Sequence, residues 1–422
     1  MGGLRILALP ILQLGHFVSE AWTAARGETP HAEVPPLDAS LAAIGEAVLD
    51  RSFTLGVNLL TGVPNPTEVR AAHEALDRAA RVVESRGWLG DPRSFYRTPP
   101  RVETWDEKEG RAWAQGRFLR YRELSFESEY RAHPALPHAD RWAAYTHNQR
   151  TYAYVLEHEG ESDRPWVVGV HGFGMGSPVV NFAGFNVRRL HHELGLNVLL
   201  PVLPLHGPRG GAHMSGSELL TPDFVNLVYV FSQAVWDIRR LLGWVRDRGA
   251  DRIALWGVSL GGYTSALVSA FEADLDCVIA GIPPSDFPNV ARDNQPWVLR
   301  GYERELAIDW HNVRKMTHMV SPLALDPVVP REKRFVYAGI ADRVVRPDQA
   351  RALWRHWGRP EMLWYSGGHV ASQWKGEVMT FIESALAKSG VVHGGPAGRR
   401  AKARVRRRPG SRAAAGRAAD SH

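Results

Sequence analysis

The sequence predicts an α/β fold with a mostly parallel central sheet that is flanked by helices. Short apolar runs alternate with longer segments in which apolar residues recur every three or four positions. This alternation of strand and helix is typical of parallel crossover units. A Gly-x-Ser-x-Gly pentapeptide at residues 257–261 lies between an apolar run and a helical segment, which indicates a sharp strand-to-helix turn.

The N-terminal third is predicted to be helical over residues 41–87. Its clearest helix begins at Pro66, which suits a first helical position, with Asn65 as the cap and Gly87 as the stop. The predicted buried face comprises Val69, Ala72, Leu76, Ala79, Ala80 and Val83. We therefore expect an N-terminal helical extension over residues 1–115, in which residues 88–115 form a loop or boundary.

A single α/β domain is predicted over residues 116–390. Its strands are expected at residues 118–130, 151–156, 166–170, 197–203, 252–256, 276–280, 334–338 and 362–365. Long helices should follow the fourth and the last of these strands. Residues 287–325 interrupt the alternation after the sixth strand, and we expect them to form a short cap insertion.

Ser259, at the centre of the pentapeptide, is the candidate nucleophile. A serine hydroxyl needs a projecting turn and a base that takes its proton, and the small residues around Ser259 permit such a turn. The expected base is His369 and the expected orienting acid is Asp342, because each follows a later predicted strand. Asp286, after the sixth strand, is the rival acid.

Two backbone amides are needed to hold the oxyanion of an acyl-transfer reaction. One should belong to Leu260, directly after the nucleophile. The other should come from the glycine-rich loop at residues 171–176, with Phe173 as the first choice and Gly174 as the second. This loop has neither the Gly-Lys-Ser/Thr ending nor the GxGxxG spacing of a nucleotide site.

The His-Gly-x-Gly loop, the Ser259 turn, the late Asp342 and the Gly-Gly-His sequence at residues 367–369 together resemble the α/β-hydrolase superfamily, in particular its serine esterases and lipases. The resemblance covers residues 118–388. It implies an eight-stranded, mostly parallel sheet, a Ser259-Asp342-His369 triad and no cofactor.

The expected function is that of a serine hydrolase that cleaves a small-molecule or lipid carboxylic ester through an acyl-enzyme. Transfer of the acyl group to an alcohol or amine uses the same triad and stays open, as does a non-catalytic binding protein with the hydrolase fold. His206 and His213 could line the site, although backbone-bonded or solvated histidines are common in such loops. No histidine spacing indicates a metal.

The basic charge of the chain is concentrated at its end. Nine of the 51 basic residues and one of the 45 acidic residues lie in residues 391–422. This stretch is expected to be a disordered basic tail that binds polyanions weakly, with no specific nucleic-acid partner.

Cys277 is the single cysteine, so an intramolecular disulfide is impossible, and we expect a cytoplasmic protein. The apolar residues 4–14 faintly resemble a signal peptide, so secretion stays open as the alternative, and no apolar run is long enough to predict a transmembrane helix.

Overall fold

A nine-stranded sheet is the centre of the part of the chain that the structure describes. The structure is a computed structural model, and it describes residues 33–37, 40–61, 66–160, 164–211, 214–221, 223–294 and 309–392. The strands are β1 (Asp106–Ala114), β2 (Arg117–Glu127), β3 (Arg150–Leu156), β4 (Trp166–Val170), β5 (Asn197–Val202), β6 (Ile253–Val258), β7 (Cys277–Gly281), β8 (Arg334–Gly339) and β9 (Glu361–Tyr365).

The strand order is β1-β2-β3-β5-β4-β6-β7-β8-β9. Strands β1, β2 and β3 are antiparallel to their neighbours, and the pairs from β5 to β9 are parallel. Strands β4 to β7 are buried along their whole length, as expected for parallel strands covered on both faces. The loops that follow β6, β8 and β9 therefore leave the same edge of the sheet.

Helices cover both faces of this sheet. They are α1 (Leu41–Thr61), α2 (Pro66–Ser85), α3 (Ala139–Ala143), α4 (Pro178–Gly184), α5 (Val225–Asp247), α6 (Leu260–Val268), α7 (Phe287–Asn294), α8 (Trp310–Thr317), α9 (Pro347–His356) and α10 (Gly376–Lys388). Apolar residues of α2, α5, α6, α8 and α9 form a core on one face, and those of α4 and α10 form a second core on the other. The predicted α/β fold is confirmed.

The N-terminal helix α2 packs as its sequence pattern predicts, because all six residues of the predicted apolar face are buried. It lies against α8, the second described helix of the predicted insertion. Asn312 of α8 donates a 2.9 Å hydrogen bond to Asp77, and Lys315 pairs with Glu84. Helix α8 thus joins the insertion to the N-terminal layer, while residues 295–308 lie outside the described residues.

Strand β1 corrects the prediction of a loop over residues 88–115. It pairs with β2 through a two-residue turn in which Gln115 and Gly116 have φ of 44° and 82°, the backbone that a tight hairpin requires. Only Ala112 and Ala114 of this edge strand are buried, and charged residues occupy most of its exposed positions. The apolar period is consequently too weak to recognise, and β1 makes the sheet nine-stranded instead of eight-stranded.

Two other predicted segments differ slightly from the structure. The insertion follows β7, because β1 adds a strand that the sequence prediction omitted. At the other end, Val391 is 1% exposed and its N–H donates to Leu386 at 2.9 Å, so it belongs to the folded core. The remainder of the predicted tail, residues 393–422, and the apolar residues 4–14 lie outside the described residues. None of the described helices is long and apolar enough to cross a membrane.

Candidate active site

Ser259 occupies a strained turn between β6 and α6. Its φ of 56° and ψ of −117° are unusual for a residue with a side chain, and such a conformation costs about 1–3 kcal/mol. The turn is possible because its glycines pack where no side chain fits. A Cβ at Gly257 would lie 2.0 Å from Gly261 O, and one at Gly261 would lie 1.9 Å from Val170 O. This packing holds the serine at the carboxyl end of β6.

Three side chains from separate loops form one hydrogen-bonded chain. Ser259 Oγ lies 2.9 Å from His369 Nε2, and His369 Nδ1 lies 2.7 Å from Asp342 Oδ2. With the Nδ1 proton directed at the carboxylate, Nε2 is free to accept the serine proton. The structure thus brings together the three residues nominated from the sequence, which follow β6, β8 and β9.

Asp342 and Asp286 differ in what their carboxylates bind. Asp342 is 1% exposed, and its second oxygen accepts from the backbone N–H groups of Val344 and Val345 at 2.9 and 2.8 Å. Asp286 instead accepts from the Asn289 backbone at 3.1 Å and from the Asn289 side chain at 2.6 Å. Asp286 therefore caps α7, and Asp342 is the acid that contacts the histidine.

The electrostatic surroundings of His369 favour its protonated form. Burial alone would lower the pKa of the imidazole, but the attraction and hydrogen bond of Asp342 outweigh burial, and a further contribution comes from Asp50. The net result is a pKa raised above the ordinary value of 6.5. An imidazolium formed beside Ser259 would consequently be stabilised.

The glycine-rich loop after β4 lies against the serine turn. A Cβ at Gly172 would lie 3.3 Å from Val258 O and 3.4 Å from Ser259 Cβ, so the loop and the serine turn are in close contact. Phe173 and Gly174 follow at once, and Gly174 has a φ of 77°. No described residue accepts a hydrogen bond from the backbone N–H of Leu260, Phe173 or Gly174. These amides are the donors that the sequence nominates for an oxyanion.

Two buried histidines support this loop. His171 Nδ1 donates to Gly172 O at 2.8 Å, and its Nε2 accepts from Leu203 N at 3.0 Å, which ties the loop to the segment after β5. His206 Nδ1 donates to Pro204 O at 2.9 Å. Burial lowers the pKa of His171 to about 3 and that of His206 to about 4, so both are neutral near pH 7. His213 lies outside the described residues.

The described residues offer no group of three or more His, Cys, Asp or Glu side chains placed to hold a metal ion. The single cysteine, Cys277, is buried in β7, and burial raises the pKa of its thiol to about 12. Neither feature adds a chemical group to the Ser259 site.

Two acidic residues at the site were not nominated from the sequence. Glu46 and Asp50 of α1 accept hydrogen bonds from the backbone of the loop that carries His369. Their spacing of four residues places both on one face of a helix, and this spacing is visible in the sequence. Their partners lie more than 300 residues later, however, and no local pattern connects the two segments.

The fold can now be assigned from the order of its parts. After two antiparallel strands at its edge, the sheet continues in the order β3-β5-β4-β6-β7-β8-β9, with the nucleophile turn after β6, an acid after β8 and a histidine after β9. This arrangement is that of the α/β-hydrolase fold. The N-terminal helices are present in addition to it.

Comparison with known proteins places this hydrolase-fold chain beside two mycobacterial relatives. It is 37% identical over 393 residues to uncharacterized protein MT2702 of Mycobacterium tuberculosis (strain CDC 1551 / Oshkosh), covering 91% of both chains. It is 36% identical over 393 residues to uncharacterized protein Rv2627c of Mycobacterium tuberculosis (strain ATCC 25618 / H37Rv), again covering 91% of both chains. The chain belongs to the same family as these proteins. No protein-family model matches it.

Among solved structures, the chain is similar to acetyl xylan esterase 1 from Thermoanaerobacterium sp. JW/SL YS485. The two share 18% sequence identity with a TM-score of 0.47, and the match covers 79% of this chain and 98% of the esterase.

Proposed function

We propose that the chain is a serine hydrolase that cleaves a carboxylic ester through an acyl-enzyme. The single observation that carries this proposal is the continuous hydrogen-bonded chain from Ser259 Oγ through His369 to Asp342, at 2.9 and 2.7 Å. The same conclusion is supported by the strained backbone of Ser259 and by the N–H groups of Leu260, Phe173 and Gly174, which donate to none of the described residues.

In the first half of the reaction, Ser259 Oγ attacks the ester carbonyl carbon while its proton passes to His369 Nε2. Negative charge develops on the carbonyl oxygen, and the N–H groups of Leu260 and Phe173 would hold it, with Gly174 as the alternative to Phe173. The tetrahedral intermediate then collapses, and the alcohol leaves with the proton from His369. Asp342 keeps the imidazole in the required tautomer and stabilises its charge.

In the second half, His369 accepts a proton from water, whose oxygen attacks the acyl carbon of Ser259. Collapse of this intermediate releases the carboxylic acid and returns the proton to Ser259 Oγ. An ester is the first substrate class to test, because its carbonyl carbon is more electrophilic than that of an amide, in which the nitrogen lone pair is delocalised into the carbonyl group. Amides and thioesters are therefore comparison substrates for the test.

The decisive test is labelling with a fluorophosphonate, together with turnover of p-nitrophenyl esters of graded acyl length, for wild type and Ser259→Ala. We expect wild type to be labelled and Ser259→Ala to remain unlabelled, with kcat lower by about 10³-fold or more. Asp286→Asn is the matched control for the acid, because that carboxylate caps α7, and Asp342→Asn should lose far more activity. Near-full activity in purified, folded Ser259→Ala would refute the proposal.

A further inference from the structure

Helix α1 presents two carboxylates, one helical turn apart, to the loops that carry Asp342 and His369. Asp50 Oδ1 lies 3.0 Å from both His369 N and Val370 N, and Oδ2 lies 2.7 Å from His369 N and 3.0 Å from Arg343 N. A helix at the start of the chain thus contacts both the acid loop and the histidine loop.

Asp50 is 0% exposed, and its hydrogen-bond partners are backbone amides. Burying a carboxylate is costly unless such donors replace water. Three N–H groups from two loops satisfy both of its oxygens and fix the distance between the loops. Burial raises the pKa of Asp50, and the hydrogen bonds from Val370 and His369 oppose this shift without cancelling it. An apolar residue at this position would leave the N–H groups of Arg343, His369 and Val370 without this acceptor, so the carboxylate does more than fill space.

Glu46 extends the same contact by one residue. Its Oε2 accepts from Gly368 N at 2.9 Å, and its Oε1 lies 2.5 Å from Lys375 Nζ. Successive amides of Gly368, His369 and Val370 therefore point at α1. This arrangement orients the backbone from which the His369 side chain extends.

The two glycines before His369 fit this contact. A Cβ at Gly368 would lie 2.8 Å from Asp50 Oδ2, and one at Gly367 would lie 2.6 Å from Glu46 Oε2. Both distances are shorter than a normal non-bonded contact between a carbon and an oxygen atom, so a side chain at either glycine would require the carboxylate to move. The Gly-Gly-His sequence thus leaves room for the α1 carboxylates as well as for the turn.

We propose that Asp50 is a positioning residue that holds the His369 loop and the Asp342 loop in the geometry needed for proton transfer from Ser259. This inference rests on the proposed hydrolase function. Asp50 does not touch the reacting atoms. It acts through the backbone of His369, and through its own negative charge near the imidazole.

The charge of Asp50 has a measurable consequence. Burial, followed by repulsion from Asp342, raises the pKa of Asp50, and Asp50 in turn contributes to the raised pKa of His369. The other charged or titratable groups around the loop, among the described residues, include Asp342, the Glu46–Lys375 pair, Arg343, whose guanidinium donates to Asp342 O at 3.4 Å, and Tyr365, which donates to Gly368 O at 2.7 Å. Replacing Asp50 by a neutral residue should therefore make the His369 imidazole easier to deprotonate.

The test compares wild type with Asp50→Asn and Asp50→Ser, and uses Asp77→Asn as the matched control. Asp77 is also an aspartate of the N-terminal helices, but it binds Asn312 of α8. Three measurements are made on the full chain. The first gives KM and kcat, with kcat normalised to the fluorophosphonate-reactive sites; the second gives the acid limb of kcat/KM against pH; and the third is the His369 imidazole titration by ¹⁵N NMR.

We expect Asp50→Asn to lower kcat by on the order of 10²-fold with little change in KM. A misplaced imidazole slows proton transfer from Ser259, whereas substrate binding does not depend on it. The acid limb and the imidazole titration should both move to lower pH. Asp77→Asn should match wild type in all three measurements.

Wild-type kcat together with a wild-type His369 titration in folded Asp50→Asn would overturn the inference. It would also be overturned if Asp50→Asn and Asp50→Ser both failed to fold while Asp77→Asn folded, since Asp50 would then be purely structural. The NMR titration needs no turnover. If wild type neither reacted with the probe nor cleaved an ester, the proposed function would fail, while a shifted imidazole titration would still support the role of Asp50.

Discussion

Ser259 Oγ and His369 Nε2 lie 2.9 Å apart although 110 positions separate the residues in the chain. The contact depends on two parallel strands, β6 and β9, that end at the same edge of the sheet, and on a histidine loop held by Asp50 from α1. Ser259 and His369 are thus placed by different parts of the chain, and each part can be perturbed separately.

The pH dependence of the proposed ester hydrolysis should report the raised pKa of His369. Only the neutral imidazole accepts the Ser259 proton, so kcat/KM is lost as pH falls through the His369 pKa. Because the attraction of Asp342 outweighs burial, the midpoint of this acid limb should lie above 6.5. The measurement is kcat/KM from pH 5 to pH 9, with reassay at pH 8 to exclude unfolding. A full plateau extending below pH 6 would contradict the expected shift.

The glycines of the serine turn can be tested against a helical glycine. Gly257→Ala places a Cβ 2.0 Å from Gly261 O, and we expect it to lower the free energy of unfolding by about 1–3 kcal/mol or more, with loss of activity. Gly243→Ala in α5 is the control, because nothing lies within 4 Å of the added Cβ, and it should gain about 0.5–1 kcal/mol. Urea unfolding measures both. Equal midpoints for Gly257→Ala and wild type would show that the turn tolerates a side chain.

The central sheet and the Ser259 contact partners could be predicted because their signals are local. Strands β4 to β7 are mostly continuous apolar runs, and Ser259, Asp342 and His369 each lie shortly after the end of a strand. Parallel strands bring their carboxyl ends to one edge, so sequence order alone placed these three side chains near each other. The rival Asp286 could not be separated from Asp342 in this way, since the choice depends on which carboxylate caps its own helix.

Features that depend on distant partners could not be predicted. Strand β1 exposes most of its charged residues and buries only two alanines, so its stability comes from pairing with β2 and not from its own apolar period. Asp50 resembles an ordinary helical acid until the loop at residues 367–370 packs on it. Both cases show tertiary contacts that give a segment a role its own composition does not indicate.

The end of the folded core provides a test with two adjacent truncations. Gly390 has a φ of 73° and turns the chain back after α10, so that Val391 packs into the core beside Leu386. Truncation after Val392 should leave kcat and stability as in the full chain. Truncation after Gly390 removes the buried Val391 and should lower the free energy of unfolding by about 1.5–3 kcal/mol, while kcat per reactive site stays the same. Urea unfolding and turnover per probe-reactive site distinguish the two truncated proteins. A large loss of turnover in the protein that ends at Val392 would mean that residues 393–422 contribute to catalysis. That result would contradict their interpretation as a dispensable basic tail.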